Sequence, residues 1–444
     1  VNHDGLSPDR QRLLVALRAR GPAGSPLTAT QQGIWLAEQL DPGTSGYHET
    51  VVLRIEGPLD PDLLALVFAH LQAGNDALRA RVVDTDREPR QFFDVDAVDW
   101  RYVDLSGVPE EHRRARVDRL VAVAAVEPFE LATGPLWRAR LVRLSETDHV
   151  LVVVLHHLIT DGWSHGVLLR ALARGYPLLA EGSEPPPGEP GYPAWLAARV
   201  RREREAVAAG RASEVASRLS DVPYRLRVPG LDPTHPDRVA AELPIPVGPG
   251  GWVAFDAACR RFGTTRFMGL TGLFALALGR VSGQGAVVLS APVADRSGGS
   301  AALLGCLISV VPIVVPAVAG SAVRAVVATG TAAVGTALRH TEVPYREVVR
   351  AAGWGPAGDD PLTNVGIEEM NAPTGQVRFG KLRVTPTPRT QVRLRHDLTL
   401  SVPSQPDQAA TLLYPSARWS GGGLDELVAE LTALVVETTT VLAA

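Results

Sequence analysis

Cysteine is nearly missing: Cys259 and Cys306 lie far apart and without metal-ligand spacing. That excludes a disulfide framework and fits a reducing compartment. Lysine is scarcer still, with Lys381 alone among the 44 basic residues. With abundant Ala, Gly and Pro, this arginine bias reads as the codon usage of a GC-rich bacterium. An excess of either charge is also absent, the formal net charge being -4 at pH 7. Neither the basic field of a nucleic-acid binder nor the polybasic face of a membrane-surface protein is present. No secretory h-region follows the charged opening "VNHDGLSPDRQRLLVALRARG". One uncharged run, "AALLGCLISVVPIVVPAVAGSAV" at 301–323, has the length of a membrane span. Pro312, Pro316 and its small residues predict a buried, β-rich segment instead. The expectation is a cytoplasmic protein with neither nucleic acid nor membrane as partner.

What is present is the composition of a folded globular chain, 45% hydrophobic and 21% charged. At 444 residues it is too long for one core and predicts two lobes, each of about 200 residues. A helix is predicted over 7–20, with Ser7 as its cap and Pro8 in its first turn. Others run from Thr30 to the Pro42-Gly43 turn, from an Asp60 cap, and near 110–125. Strands are predicted at 50–57, 79–83, 91–95, 137–144 and 149–156. A helix follows Ser164, read as its cap. The Pro-rich stretch at 182–193 and the charged helix after it mark the lobe boundary. The division is thus a first lobe at 1–180, a linker region at 181–245 and a second lobe at 246–444. The second half repeats the vocabulary: helices at 265–281, 321–340 and 424–442, and strands at "AVVLSAPV", 362–370, 381–386 and 396–402. Alternation of this kind predicts a layered α/β (α+β) fold with each sheet covered on one face.

The most informative stretch is "VLVVVLHHLITDGWS", residues 150–164. Successive strand side chains point to opposite faces, so His156 and His157 cannot both line one cavity. One imidazole should face a cleft and the other pack inside, which argues against joint chelation of a metal. Gly162 permits a tight turn that returns Asp161 toward the strand end, and a buried Asp161 requires a partner. Arg296, closing "VVLSAPVADR", is the candidate, as a bidentate fork that ties the lobes together. An imidazole is then the one group whose ordinary pKa suits proton transfer near neutrality. Each feature alone is an ordinary structural residue or turn; their joint spacing favours a site.

That spacing, HHxxxDG at 156–162, resembles the signature of the condensation domains of nonribosomal peptide synthetases, relatives of the chloramphenicol acetyltransferase type. The resemblance continues in order along the chain. "LTATQQGIWLAEQLDPGTSGYHE" resembles the first family motif, "ALRARV" the second, and "PFELATGPLWRARL" the lead into the histidine strand. "VVLSAPVADR" is similar to the fourth motif, "LLGCLISVVPI" to the fifth, "HTEVPYREVV" to the sixth, and "RHDLTLSV" to a C-terminal strand. Two departures stand out. Gly74-Asn75 replaces the usual Arg-His before the retained Arg79, and Ser309 stands where asparagine is usual.

The resemblance implies two acetyltransferase-like lobes in a V-shaped pseudo-dimer with a central tunnel. It implies donor and acceptor carrier proteins as partners, each presenting a substrate on a phosphopantetheine arm, with no tightly bound cofactor or metal. By position His157 matches the active-site histidine, and Gly162 the glycine whose N–H faces the developing oxyanion. His156 and Asp161 match residues with structural roles, and Arg296 matches the aspartate's partner. Trp163 and Ser309 are expected near the tunnel. The implied activity is amide formation between a carrier-bound acyl or peptidyl thioester and a carrier-bound amino acid. The alternatives are a free-standing enzyme making an ester or amide with a soluble acceptor, an acyltransferase using free acyl-CoA, and an inactive recruitment domain. Recruitment members of such a fold usually have damaged histidine motifs, and this one is intact. The helix "LSPDRQRLLVALRARG" resembles the start of domains embedded in larger synthetases, and the pseudo-dimer makes a monomer sufficient. The arginine-rich 199–211 helix is expected to be a solvated face, and His340 and His396 to be structural.

Overall fold

The structure, a computed structural model, describes residues 24–354 apart from 44, 87, 190 and 298, together with 363–370, 377–387 and 393–443. The helix expected over 7–20 lies outside the described residues. Two six-stranded sheets organise the rest. The first runs Val377–Phe379, Leu382–Pro386, His48–Glu56, Asp148–His156, Trp137–Ser145, Trp100–Asp104. The second runs Ile308–Pro316, Ala286–Ala294, Val365–Met370, Leu398–Pro403, Thr411–Pro415, Ala240–Pro244. A small sheet joins Ser25–Pro26, Pro89–Phe92 and Arg81–Asp84.

Asp148–His156 is the spine of the first lobe. It pairs antiparallel with His48–Glu56 on one side and Trp137–Ser145 on the other. Leu151, Val153 and Leu155 share a core with Phe68 of helix Pro61–Gly74 and Leu168 and Leu172 of helix Gly162–Ala180. Val150, Val152 and Val154 pack instead with Val121 and Ala124 of helix Glu110–Val126. This sheet is therefore covered on both faces, not one. The unbroken apolar run is the signature of that arrangement, since an alternating pattern would leave one face to water. Burying each such Val or Leu contributes about 1.5–3 kcal/mol.

The second lobe stacks helices Arg266–Ser282, Val323–Leu338 and Gly423–Ala443 on its sheet around Phe255, Phe274 and Leu431. The run at 301–323 is a buried connection and a strand: Ile308–Pro316 pairs along its length with Ala286–Ala294. No described helix is long and apolar enough to cross a membrane.

Chain order and lobe membership part company in two places. Leu382–Pro386, from the second half, pairs with the first sheet, Thr385 opposite Arg54 and Val384 opposite Ile55. Residues 246–444 thus build parts of both sheets. Conversely, Leu303, Leu304, Cys306 and Leu307 leave the second sheet and bury themselves in the first lobe's core beside Tyr192 and Leu196. Gly305 sits so close to the Tyr192 ring that an added Cβ would lie 2.4 Å from its Cε2.

The charged helix Tyr192–Ala208 keeps Arg201, Arg204 and Glu205 in solvent as expected and departs from expectation on its other side. Its Arg199 and Glu203 are buried at the lobe junction rather than solvated. Arg199 Nε donates to Glu203 Oε1 at 3.0 Å and its Nη2 to Ser309 Oγ at 2.6 Å. Glu203 Oε2 in turn accepts from the Ala29 N–H at 3.0 Å. Buried charges persist when paired and hydrogen-bonded in this way.

Candidate active site

The histidine strand ends at the junction of the lobes, and its last residues divide the labour between faces. His156 is fully buried in a cage of Tyr47, His48 and Phe129 rings. The Leu158 N–H donates to its Nδ1 at 3.1 Å, so the ring proton sits on Nε2, which donates to Glu38 Oε1 at 3.2 Å. Burial, reinforced by the neighbouring His157, pushes the His156 pKa down to about 3. Burial also pushes the Glu38 carboxyl up to about 7, although His48 and Arg395 pull it the other way.

His157, one residue beyond the strand, is half-buried. Its N–H donates to the Tyr47 carbonyl at 2.8 Å, which fixes the backbone from which the ring projects. Nδ1 is buried and has no hydrogen-bond partner among the described residues. The ring lines a cavity of about 240 Å³ between the two sheets. His48 and Thr50 face it from the first sheet, and Ser290, Ile308 and Gly366 from the second.

The carboxylate of Asp161 makes its hydrogen bonds elsewhere than at His157. It is fully buried and caps helix Gly162–Ala180, Oδ1 accepting from the Ser164 N–H at 2.8 Å. Oδ1 also accepts from Arg296 Nη2, and Oδ2 from the Leu307 N–H at 2.9 Å. The cap is therefore Asp161 rather than Ser164. The Ser164 hydroxyl is released to donate to the Gly305 carbonyl at 2.8 Å and to accept from the Gly305 N–H and Arg296. The expected pair exists, but the fork is single-pronged. Arg296 Nη1 donates to the Leu303 carbonyl at 2.6 Å and the Ser300 carbonyl at 3.4 Å. Oδ2 is taken by the Leu307 N–H, and the second terminal nitrogen of Arg296 turns to the two carbonyls instead.

Gly162 opens the helix without a left-handed turn, for its φ lies outside the positive range. Nor is it forced by packing, since an added Cβ would meet nothing within 4 Å. Its N–H belongs to the first helical turn, where intrahelical acceptors are lacking. Trp163 donates its indole N–H to the Ala301 carbonyl at 2.9 Å, joining the same lobe clamp instead of lining the cavity. Ser309 likewise faces Arg199; on its strand the cavity walls are Ile308 and Val310.

Other placements correct the sequence reading. His48 and His396 both line the cavity, and burial pushes each down to about 4. Their one signal in the sequence is membership of the stretches "GYHE" and "RHDL", since neither has an acid–base partner visible there. Gly74-Asn75 lies away from the cavity: a Cβ on Gly74 would stand 2.5 Å from the Gly188 nitrogen, and Asn75 Nδ2 donates to the Leu71 carbonyl at 2.7 Å. Arg79 pairs with Asp76 at 2.9 Å. His340 lies 3.8 Å from Glu214, outside the site. No cluster of His, Cys, Asp or Glu among the described residues is arranged to hold a metal ion.

A two-lobed α/β protein with an imidazole exposed to the cavity at the lobe junction is what the structure defines. The condensation domain family model matches residues 24–408, and the chain belongs to that family, the acyltransferases that form peptide bonds in nonribosomal peptide synthetases. It is similar to malpibaldin synthetase of Mortierella alpina, 26% identical over 422 residues, covering 93% of this chain and 8% of that protein. It is also similar to phosphinothricin tripeptide synthetase PhsB of Streptomyces viridochromogenes, 32% identical over 288 residues, covering 62% of this chain and 24% of that protein. The chain thus spans a small part of each. Among solved structures, the first condensation domain of the calcium-dependent antibiotic synthetase superposes with a TM-score of 0.77 at 22% identity, covering 94% of this chain and 97% of that one. The X-domain from teicoplanin biosynthesis superposes with a TM-score of 0.79 at 22% identity, covering 94% and 96%. Likeness at that identity speaks for the fold.

Proposed function

We propose that this domain joins a carrier-bound acyl or peptidyl thioester to the amine of a carrier-bound amino acid. The amine nitrogen attacks the thioester carbon, the C–N bond forms, the C–S bond breaks, and the amine proton ends on the departing thiol. The observation that carries this reading is His157: a half-buried imidazole on the cavity wall, its Nδ1 without a partner and its backbone fixed by Tyr47. A thioester is already activated, so holding the two reactants together supplies much of the rate. His157 then aligns the amine or takes its proton, a contribution of about 10²–10⁴-fold. Gly162 contributes a helix N-terminal N–H toward the oxyanion. His156, Asp161 and Arg296 position these groups, and because Asp161 is spent on the clamp, no carboxylate relay acts on His157.

The partners on this reading are a donor and an acceptor carrier protein, whose phosphopantetheine arms enter the cavity between the lobes from opposite sides. The domain acts in the cytoplasm as part of a larger synthetase and needs no metal or tightly bound cofactor.

The test is a condensation assay read by intact-protein mass spectrometry, with an acyl-loaded donor carrier and an aminoacyl-loaded acceptor carrier. Product with wild type that is lost in folded His157→Ala supports the reading. Equal product with the variant removes His157 from the chemistry. Carrier binding without product across a panel of loaded carriers turns the assignment to recruitment.

A further inference from the structure

The cavity holds a cation that the reaction as proposed does not use. Arg395 lines it together with His157, and its guanidinium lies 3.6 Å from the centroid of the Tyr47 ring. The side chain is exposed, and its recorded contact among the described residues is the Tyr47 ring, with no ion pair or hydrogen bond. Other arginines at the lobe junction are consumed: Arg296 by Asp161 and two carbonyls, Arg199 by Glu203 and Ser309. Arg393 lines the same wall and also lacks an ion-pair partner among the described residues. The acidic groups on the cavity walls, Glu49 and Glu368, are themselves partnered.

Resting on the condensation reading, we propose that Arg395 recognises a carboxylate carried by one of the two substrates. The Tyr47 ring anchors the guanidinium through its carbon and uses none of its N–H groups as an ion-pair or hydrogen-bond donor, which leaves them to receive a carboxylate bidentately. Position decides what kind of anion it meets. The carbonyl of Tyr47, the residue under Arg395, accepts from the His157 N–H at 2.8 Å. Arg395 thus stands one residue from the proposed reaction centre, whereas the phosphate of a pantetheine arm lies at the far end from the thioester carbon. The anion is therefore a group on the acyl or the aminoacyl moiety.

The experiment uses glutamyl and glutaminyl thioesters of N-acetylcysteamine, a pair of nearly equal shape that differs in side-chain charge. In one arm the pair serves as acceptor with a neutral donor; in the other it serves, N-acylated, as donor with a neutral acceptor. Wild type is expected to prefer the charged member in one arm by about ten- to a hundredfold in kcat/KM, chiefly through KM. That ratio should collapse toward one in Arg395→Gln and be partly restored in Arg395→Lys. The arm that shows the preference identifies which substrate bears the carboxylate. No preference in either arm overturns the proposal, and so does a preference that survives in Arg395→Gln while both members lose rate equally. Calorimetric binding of the same thioesters separates the two readings. If wild type makes no product from any pair, the condensation reading falls, and the charged-over-neutral binding ratio of wild type against Arg395→Gln decides the role of Arg395 alone.

Discussion

Arg296 reaches Asp161 across the lobe junction through one nitrogen, while its other terminal nitrogen is held by carbonyls of its own loop. The aspartate thereby closes three contacts at once: a helix cap, an ion pair and the N–H of Leu307. Both side chains are nearly sealed, at 7% and 0% exposure. Removing one partner of a buried pair strands the other charge, at a cost of about 3–5 kcal/mol. Asp161→Ala is expected to lose that much stability by urea denaturation. Asp161→Asn keeps an acceptor for the Ser164 or Leu307 N–H and should lose less. Equal losses would mean that the charge contributes nothing beyond the hydrogen bonds.

Gly162 has neither a positive φ nor a neighbour within 4 Å of an added Cβ. A glycine retained in helical backbone with open space above it suggests that the space itself is used. Gly162→Ala narrows the unfolded ensemble, so stability is expected to rise by about 0.4–1 kcal/mol. On the proposed role of its N–H at the oxyanion, the added methyl group crowds that approach, and misplacement there lowers turnover by at least about tenfold. Thermal melting and the condensation assay check both halves. Stability and turnover that both stay unchanged would show the position to be indifferent.

Much of this was legible in the sequence because local chemistry dictated it. The apolar run before the histidines could only be a buried strand, and a buried aspartate after it called for the partner that Arg296 supplies. What escaped were facts set by distant packing. The Leu382–Pro386 strand reads the same whichever sheet it joins, and its partner at Arg54–Ile55 lies in the other half of the chain. Asp161 and Ser164 are both good caps, and only the clamp to Gly305 shows why the serine is used elsewhere. The charge pattern of the 199–211 helix suggested a solvated face because sequence does not reveal that Ser309 and the Ala29 N–H await Arg199 and Glu203.

Three histidines that the fold holds neutral make it acid-sensitive. Burial pushes His156 from 6.5 to about 3, and His48 and His396 from 6.5 to about 4. As pH falls below 6.5 the unfolded chain takes up protons at these rings while the folded chain does not, so stability is lost progressively down to about pH 4 and below. Glu38 works in the opposite sense. Its carboxyl titrates near 7 when folded and near 4.5 when unfolded, so it alone would favour the folded state as pH falls through that range. Three rings outweigh one carboxyl, and the urea midpoint should fall between pH 6.5 and 4. His48→Gln, which retains a donor for the Ala125 carbonyl, should flatten the slope. A midpoint independent of pH would contradict the neutral burial of these rings.

The Glu38–His156 contact makes a sharper demand, because it predicts which nitrogen carries the proton. The Leu158 N–H occupies Nδ1, so the proton is on Nε2 and needs an acceptor. Glu38→Gln offers a carbonyl oxygen of the same reach and should stay within about 1 kcal/mol of wild type. Glu38→Leu leaves a buried N–H unpaired at a cost of about 1–3 kcal/mol. It also loosens the strand end from which His157 projects, so turnover should fall in the leucine variant and survive in the glutamine one. Nitrogen chemical shifts of the His156 ring read the tautomer directly. Equal destabilisation by the two substitutions, with an Nδ1–H signal in wild type, would show that Glu38 acts by packing and does not hold His156 by hydrogen bonding.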